Sequence, residues 1–324
     1  MKISVAMCTY NGARFLGPQL DSLVSQARQP DEVVICDDQS EDETAEFVRS
    51  WARQTPFPVN FRVNDRRLGV VGNFNKAISL CSGDLIALAD QDDVWLSYKL
   101  SETERAFEDQ PKLGLWFSDG RLVDEEQQPL PIMLWQAFRL DKHWQEHVTG
   151  PLRLARLLRR SVVTGATMTF AARYKPLVLP APEDCPGYIH DRWIATLIAA
   201  VAPSACSPRP SILYRQHSGQ VRGAAEIRGP FESLKARMPR RHDLIENDLA
   251  AAHALAHRLA ERAPDQVTPE ARTILAERIR LLEMRAKLPS ARLSRAIPVV
   301  RGLISGDYSR HAEGLASAAK DLLL

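Results

Sequence analysis

The 324-residue chain contains no apolar run of the length, about 18 residues, that a membrane-spanning helix requires. Because the first five residues lead directly into a strand-like pattern, we expect no signal peptide. The five cysteines show no metal-ligand spacing and no pairing pattern, which favours a reducing cytoplasm over a disulfide-bonded secreted protein. The formal net charge is only +2, so the chain as a whole has no electrostatic attraction to nucleic acid.

A glycine-rich G-x-G-x-x-G loop is also missing, and its absence argues against a dinucleotide-binding domain. The first 120 residues instead alternate short apolar runs with helical patterns. Such alternation is typical of a parallel sheet covered by helices on both faces, in which ligands bind beyond the carboxyl ends of the strands. The predicted strands are Ile3–Cys8, Glu32–Cys36, Val59–Val63 and Asp84–Ala89.

Polar side chains follow three of these strands, and we expect them to share one crevice. A carboxylate at such a position can accept hydrogen bonds from a ribose hydroxyl or a base N–H, although capping of the next helix is the simpler alternative. Between the third strand and the next helix, glycine allows close backbone approach and an arginine can meet a diphosphate; a turn with solvated arginines is the alternative. The residues at the three strand ends are Thr9, Tyr10 and Asn11, then Asp37 and Asp38, then Asp90 to Asp93.

The run Ala89–Trp95 places three carboxylates, Asp90, Asp92 and Asp93, at the end of a buried strand. Close like charges raise one another's pKa unless a cation screens them. Magnesium binds through one or two carboxylates together with substrate phosphates. The run therefore predicts a metal–phosphate site at the edge of the sheet, with a solvated acidic turn as the alternative.

The chain contains four strings in the order Val5–Gly12, Cys36–Thr44, Leu68–Ala77 and Gly83–Trp95. Their order and spacing resemble the inverting glycosyltransferases of family 2. The resemblance covers residues 1–120 most closely, weakens to about residue 225 and is not seen beyond residue 230. It implies the GT-A fold, an α/β Rossmann-like mixed sheet flanked by helices, here followed by an α-helical C-terminal extension. The form of the acidic string is most similar to bacterial rhamnosyltransferases of surface polysaccharide synthesis.

The resemblance assigns roles to particular residues. Asp90 and Asp92 match the family's Asp-x-Asp pair, in which the second aspartate ligates a divalent metal, Mg²⁺ or Mn²⁺, more directly. His217 matches a histidine that completes the metal shell in many GT-A enzymes, and a surface histidine at a strand end is the alternative. The residues implied in binding the nucleotide donor are Thr9, Tyr10, Asn11, Asp37, Asp38, Arg67, Gly69, Asn73, Asp90 and Gln91.

Inverting transfer also needs a base that takes a proton from the acceptor hydroxyl. Asp191 matches the place of that base, and helix N-capping is the alternative reading. His190 stands where the family usually has a glutamate, which is a departure from the pattern. The residues implied in lining the acceptor and donor sugar are Gly165, Ala166, Thr167, Arg192 and Trp193.

The predicted organisation is a catalytic domain over residues 1–230, with a nucleotide-binding half (1–120) and an acceptor-binding half (121–230), and a helical region over 231–324. Basic and apolar residues interleave between Arg278 and Arg301. A segment of this kind can lie on an anionic membrane, so peripheral contact with the inner face of the cytoplasmic membrane is one reading. Packing in a homodimer and a solvated helix face are the others.

The sequence thus predicts a cytoplasmic, metal-dependent inverting glycosyltransferase. We expect dTDP-L-rhamnose as the donor, or next a UDP-hexose, and a hydroxyl of a growing cell-surface glycan or lipid-linked oligosaccharide as the acceptor. A non-catalytic nucleotide-sugar or glycan-binding module would be expected to lose the base or the metal residues, and both are present. A nucleotidyltransferase would need a glycine-rich phosphate loop, and the segment Thr9–Gly12 is not one.

Overall fold

The structure is a computed structural model that describes residues 1–138, 140, 152–160, 162–185, 188–217 and 241–323. The chain divides into two compact units. Unit 1 comprises Met1–Thr149, Val162–Glu183 and Ile189–Glu226, and unit 2 comprises Gly150–Ser161, Asp184–Tyr188 and Ile227–Leu324. The basic segment around residue 155, which the sequence placed in the acceptor-binding half, thus groups with the C-terminal helices.

The helices and strands follow the predicted alternation over the first 120 residues. The strands are β1 (Ile3–Thr9), β2 (Glu32–Asp37), β3 (Val59–Val63), β4 (Leu85–Ala89), β5 (Val94–Trp95), β6 (Leu115–Val123), β7 (Pro129–Met133), β8 (Met168–Ala171) and β9 (Ser204–Arg215). The helices are α1 (Ala13–Val24), α2 (Thr44–Ala52), α3 (Gly69–Leu80), α4 (Lys99–Asp109), α5 (Leu134–Ala137), α6 (Leu152–Arg159), α7 (Lys175–Val178), α8 (His190–Val201), α9 (Arg241–Arg262), α10 (Pro269–Ala286), α11 (Arg292–Ile304), α12 (Asp307–His311) and α13 (Leu315–Leu323).

The strands of unit 1 form one mixed nine-stranded sheet in the order β3-β2-β1-β4-β8-β6-β9-β5, with β7 paired to β6. β1 is parallel to both β2 and β4, with Thr9 opposite Asp37 and Met7 opposite Ala89. β8 then runs antiparallel between β4 and β6. Because β1, β2 and β4 are parallel neighbours, their carboxyl ends lie at the same edge of the sheet. The mixed α/β sheet predicted from the sequence is confirmed.

Burial explains why these segments form the centre of the sheet. β4 is buried over its whole length and β1 over nearly all of it, as expected for parallel strands covered on both faces. α1 buries Leu16, Leu20 and Leu23, which recur at helical spacing and join the core cluster beneath the sheet. The core therefore fixes the strand ends from which the polar loops emerge.

One predicted strand is much shorter than expected. In the sequence, the apolar run from Ser161 to Ala171 favours a strand, but of its residues that the structure describes only Met168–Ala171 pairs with the sheet. Gly165–Thr167 forms a 3₁₀ turn instead, in which the Thr167 N–H donates to the Thr164 carbonyl at 3.0 Å. The Gly165 N–H donates to the side chain of Asp191 at 3.2 Å rather than to a neighbouring strand. A pattern of apolar residues does not reveal a hydrogen bond of this kind.

Unit 2 is helical in the residues that the structure describes, and it has a core of its own. Tyr308 is fully buried there, and its hydroxyl donates to Asp321 at 2.6 Å. Arg285 donates to the same carboxylate at 2.8 Å, so the buried charge of Asp321 is paired. A Cβ atom on Gly302 would lie 2.8 Å from the Tyr308 ring, which explains glycine at this contact. Within the described ranges, every helix is too short or too polar to span a membrane.

Candidate functional site

The loop after β1 is held by the side chain of Gln91. The Tyr10 N–H donates to Gln91 Oε1 at 2.8 Å, and Gln91 Nε2 donates to the Tyr10 carbonyl at 3.0 Å. A Cβ atom on Gly12 would lie 2.2 Å from Gln91 Oε1, so a side chain at residue 12 would displace the amide. The structure therefore brings the exits of β1 and β4 together, and it places Gln91 as a support of the loop.

A second set of hydrogen bonds joins the exits of β1 and β2. Thr9 donates to Asp37 Oδ1 at 2.7 Å, and the Ser40 N–H donates to Asp37 Oδ2 at 2.9 Å. Ser40 in turn accepts the Asn11 N–H at 2.9 Å, which holds Asn11 in the left-handed region with φ of 46°. In the sequence, the capping-box spacing of Ser40 and Glu43 favours a helix from residue 42 to about 53. The helix is present as α2, but it begins two residues later, at Thr44, and the Ser40 hydroxyl bonds to Asp37.

Asp38 is buried and fastens the loop between β3 and α3. Its carboxylate accepts the N–H groups of Leu68 at 2.7 Å and Gly69 at 2.8 Å, as well as Asn64 Nδ2 at 2.9 Å. Gly69 has φ of 72°, a conformation that favours glycine. Asn64 also donates to buried Asn73 at 2.9 Å. Asp38 and Asn73 thus support the loop in this structure, and their binding of the donor stays a prediction.

Arg67 lies over Tyr10, with its guanidinium carbon 3.7 Å from the ring centroid. Arg67 is exposed and Tyr10 is half-buried, so a planar cation stacks on the aromatic face at the surface of the crevice. The two predicted donor-binding residues are therefore neighbours. The stack holds a positive charge beside the strand ends, where a diphosphate could meet it.

The acidic run is an electrostatically crowded site. Burial, together with the charges of Asp92 and Asp191, raises the pKa of Asp90 to about 7. Burial and the charges of Asp92 and Asp90 also raise the pKa of Asp93 well above its usual range. Asp93 Oδ1 accepts the Arg215 N–H at 3.1 Å, while its buried Oδ2 has no hydrogen-bond partner among the residues that the structure describes. These carboxylates therefore favour a cation close to them.

Lys99 places a basic group near these carboxylates, and no motif in the sequence indicates this role. Its side chain is fully buried, and Nζ donates to the Ala166 carbonyl and lies 4.1 Å from the Trp95 ring centroid. Burial lowers the pKa of Lys99 to about 7, while the charges of Asp93 and Asp90 act in the opposite direction. A lysine six residues after a buried acidic run was the only sequence signal of this role.

Asp92 and His217 lie together, as predicted for the two metal ligands. Asp92 Oδ2 is 2.8 Å from His217 Nε2, and the side chains are 15% and 10% exposed. Arg215 Nε donates to the main-chain carbonyl of Asp92 at 2.8 Å, so the end of β9 fixes the acidic loop. The His217 ring packs on Phe15, with ring centroids 4.5 Å apart.

The donor set fits a divalent cation that also binds a substrate. Across the described ranges, no group of three or more histidine, cysteine, aspartate or glutamate side chains is arranged to hold a metal ion. Asp92 and His217 offer one carboxylate and one imidazole, which suits Mn²⁺ or Mg²⁺ when phosphate oxygens and water complete the shell. The unpartnered Oδ2 of Asp93 adds negative charge beside them.

Asp191 lies in the first turn of α8, and Ile189 rather than Asp191 is the N-cap residue. Its Oδ2 accepts the Gly165 N–H at 3.2 Å, and its Oδ1 accepts the Arg192 N–H at 2.5 Å. The charge of Asp191 contributes to the raised pKa of Asp90, so the two carboxylates are close enough to interact. Asp191 and Asp90 therefore lie near each other, and the role of Asp191 as the base stays a prediction.

The other residues predicted to line the sugar pocket are buried. Trp193 lies in the core, and its indole N–H donates to the Val178 carbonyl at 3.0 Å. Thr167 is also buried and donates to the Thr164 carbonyl at 2.9 Å. Arg192 is 8% exposed. In this structure Trp193 and Thr167 support the loop around Gly165, and a contact of either side chain with sugar stays a prediction.

His190 is buried beside the predicted base. Its ring stacks on Phe74 with centroids 3.9 Å apart, and in the described part of the chain neither ring nitrogen has a hydrogen-bond partner. Burial lowers the pKa of His190 to about 4, while the charge of Asp191 acts in the opposite direction. The histidine is therefore neutral in the folded protein near pH 7.

His190 is expected to make the folded protein sensitive to acid. The unfolded chain binds a proton at this histidine below about pH 6.5, whereas the folded protein binds it only near pH 4. Stability is therefore lost as the pH falls through this window, by about 3 kcal/mol from this group. Urea unfolding between pH 7.5 and 4.5 should show a shallower loss for His190→Gln. His257→Gln, at an exposed histidine, is the control; parallel pH profiles for wild type and His190→Gln would contradict the expectation.

Comparison with known sequences gives a family for this segment. Residues 4–164 match the model of the family described as Glycosyl transferase family 2. An uncharacterized glycosyltransferase of Nostoc sp. is 32% identical over 117 residues, which cover 36% of this chain and 35% of that protein. The chain spans 35% and 59% of the lengths of the first curated relatives that it matches.

Solved structures share the fold along nearly the whole chain. Residues 1–349 of the S. aureus protein TarS, in complex with UDP-GlcNAc, match with a TM-score of 0.54 and 15% identity, covering 99% of this chain and 91% of that TarS 1–349 chain. The mannosyltransferase PcManGT of Pyrobaculum calidifontis, in complex with GDP-Man and Mn²⁺, matches with a TM-score of 0.51 and 18% identity, covering 98% and 79%. At these identities the likeness concerns the fold. Residues 4–164 thus match the glycosyl transferase family 2 model, in a chain that has the GT-A fold.

Proposed function

We propose that this protein transfers a sugar from a nucleoside-diphosphate donor to an acceptor hydroxyl, with inversion at the anomeric carbon. The observation that carries the proposal is the convergence of Asp191, Asp90 and the Asp92–His217 pair at one edge of the sheet. The family match over residues 4–164 supports the same chemistry. A module that only binds sugars would not need a carboxylate held beside a metal-ligand pair.

The donor side of the reaction would use the acidic loop. Asp92 and His217 would hold the divalent cation, which supplies Lewis-acid stabilisation of the departing diphosphate when it is bound. The Mn²⁺ in the mannosyltransferase structure supports a metal of this kind. Arg67, stacked on Tyr10, would add positive charge for the diphosphate, and Thr9 and Asp37 would place the nucleoside.

The acceptor side would use Asp191. Two backbone N–H groups, from Gly165 and Arg192, orient its carboxylate. In the reaction Asp191 takes the proton of the acceptor hydroxyl as that oxygen attacks C1 from the face opposite the diphosphate. The 3₁₀ turn at Gly165–Thr167 would therefore set the direction from which the acceptor is activated.

We further propose dTDP-L-rhamnose as the donor, with a UDP-hexose next. The acidic string Asp90–Trp95 supports rhamnose through its resemblance to rhamnosyltransferases, and the UDP-GlcNAc complex of TarS supports a pyrimidine nucleotide. The acceptor would be a hydroxyl of a growing cell-surface glycan or of a lipid-linked oligosaccharide. We propose that the protein acts in the cytoplasm.

Calorimetric titration of the full chain with dTDP, UDP and GDP, with and without Mn²⁺, tests the proposal. We expect one nucleotide to bind, and Mn²⁺ to raise its affinity. His217→Ala should weaken the Mn²⁺-dependent affinity by about tenfold or more, because an imidazole ligand is lost. The control is His257→Ala at an exposed histidine. Metal-independent binding, or binding of none of the three nucleotides, would rule out the mechanism.

A further inference from the structure

α11 in unit 2 has an apolar face that no described residue of the chain covers. Val299 and Gly302 are buried on the side that packs against Tyr308. Four other apolar side chains of the helix are exposed, and we call them the α11 stripe. At 100° per residue their spacing of four, three and four residues keeps them within about 60° of arc. The stripe consists of Leu293 (92% exposed), Ile297 (65%), Val300 (46%) and Ile304 (83%).

The stripe lies in a segment of uniformly positive charge. Residues 284–306 contain five arginines and lysines and no acidic residue. Arg285 pairs with Asp321, and Arg295 donates to the carbonyls of Pro289 and Ser290. Three cations are exposed, and none of them forms an ion pair with a residue that the structure describes. They are Lys287, Arg292 and Arg301.

We propose that the α11 stripe is a membrane-contact surface that lies among anionic phospholipids. A helix with an apolar face and arginines at its borders, at Arg292 and Arg301, matches the interfacial type of membrane helix. Its 13 residues are about 20 Å long, which is too short to span a bilayer, so it would lie in the plane of the headgroups. The inference goes beyond sugar transfer and does not depend on it.

Charge distinguishes this occupant from a second copy of the chain. In a twofold contact of stripe against stripe, Arg292 and Arg301 would face cations of the other copy. An anionic leaflet offers the opposite charge and also accepts the four apolar side chains. Contiguous exposed apolar side chains rimmed by cations therefore fit a lipid surface better than they fit water or a like-charged helix.

Flotation of the full-length protein with phosphatidylcholine vesicles, with or without phosphatidylglycerol, tests the proposal. We expect binding to the anionic vesicles, weakened by added salt. The double variant Leu293→Glu/Ile304→Glu should lose at least about tenfold in binding, and Arg301→Ala about fivefold. The matched controls are Leu244→Glu, at a leucine 54% exposed outside the stripe, and Arg53→Ala, at an exposed arginine; neither should change binding.

Four results would overturn the proposal. The wild type could fail to bind anionic vesicles, or bind neutral ones equally well. The double variant could retain binding. Finally, sedimentation could reveal a dimer that the double variant dissolves while no vesicle binding occurs, which would assign the stripe to a second copy. Because Leu293 and Ile304 are exposed, their replacement should change the free energy of unfolding little, and circular dichroism can check that the double variant is folded.

Discussion

Asp191→Asn is expected to reduce the rate of sugar transfer by about 10²- to 10⁴-fold while metal-dependent nucleotide binding is retained. Asparagine has nearly the same shape and can still accept the Gly165 N–H through its amide oxygen, but it cannot take a proton from the acceptor hydroxyl. The loss should therefore appear in the chemical step and leave the affinity for the nucleotide unchanged.

Two measurements on the same variant separate catalysis from structure. Transfer is followed as release of nucleoside diphosphate with the donor that calorimetry identifies, and nucleotide affinity is measured with Mn²⁺ present. Asp21→Asn, at an exposed carboxylate on α1, is the matched control and should behave as wild type. If Asp191→Asn loses both transfer and nucleotide binding, Asp191 is a structural residue and the assignment of the base is wrong.

Lys99→Met should lower the free energy of unfolding by about 1–3 kcal/mol, because a buried hydrogen bond and part of a buried charge interaction are lost. Methionine fills most of the volume of the lysine stem, so packing changes little. Lys99 is fully buried, and its ammonium interacts favourably with the charges of Asp93 and Asp90. Because burial already raises the pKa of both aspartates, removal of the ammonium leaves only part of that negative charge uncompensated. The hydrogen bond to the Ala166 carbonyl is also lost, and with it the link from α4 to the 3₁₀ turn.

Urea unfolding of Lys99→Met beside Lys112→Met measures this effect. Lys112 is exposed, so its replacement should change the free energy of unfolding by less than about 0.5 kcal/mol. Equal effects of the two substitutions would mean that Lys99 does not compensate the acidic run.

Much of the fold was predictable because its information is local. Strand-like runs and the helical spacing of Leu16, Leu20 and Leu23 predicted the alternating elements, and alternation implies parallel strands. From parallel strands it follows that polar residues after β1, β2 and β4 meet at one edge. The structure confirms this meeting through the Thr9–Asp37 bond and the Gln91–Tyr10 pair.

The supporting contacts of the site could not be predicted, because they depend on which groups the finished fold buries. Lys99 looks like an ordinary surface lysine in the sequence, and only the closure of the 3₁₀ turn over α4 buries its Nζ. Asn64 belongs to none of the sequence motifs, yet its side-chain amide donates hydrogen bonds to both Asp38 and Asn73. Ser40 satisfied a capping pattern that a competing bond to Asp37 overrides. For Lys99 and Asn64 a tertiary hydrogen bond decided the outcome, and for Ser40 a local bond within the same loop did.

The paired hydrogen bonds between Gln91 and Tyr10 make two binding functions mechanically dependent on each other. The Gln91 amide forms two hydrogen bonds with the Tyr10 backbone, as a neighbouring β-strand would. The loop after β1, proposed to bind the nucleoside, and the acidic loop after β4, proposed to bind the metal, are therefore expected to move together. Redesign of donor preference at Tyr10 would thus shift Asp92 as well. A side chain at residue 12 would displace the Gln91 amide, so Gly12 is not a position at which this loop can be altered. Substitutions that spare the Gln91–Tyr10 pair are those on the exposed side of the crevice, around Arg67.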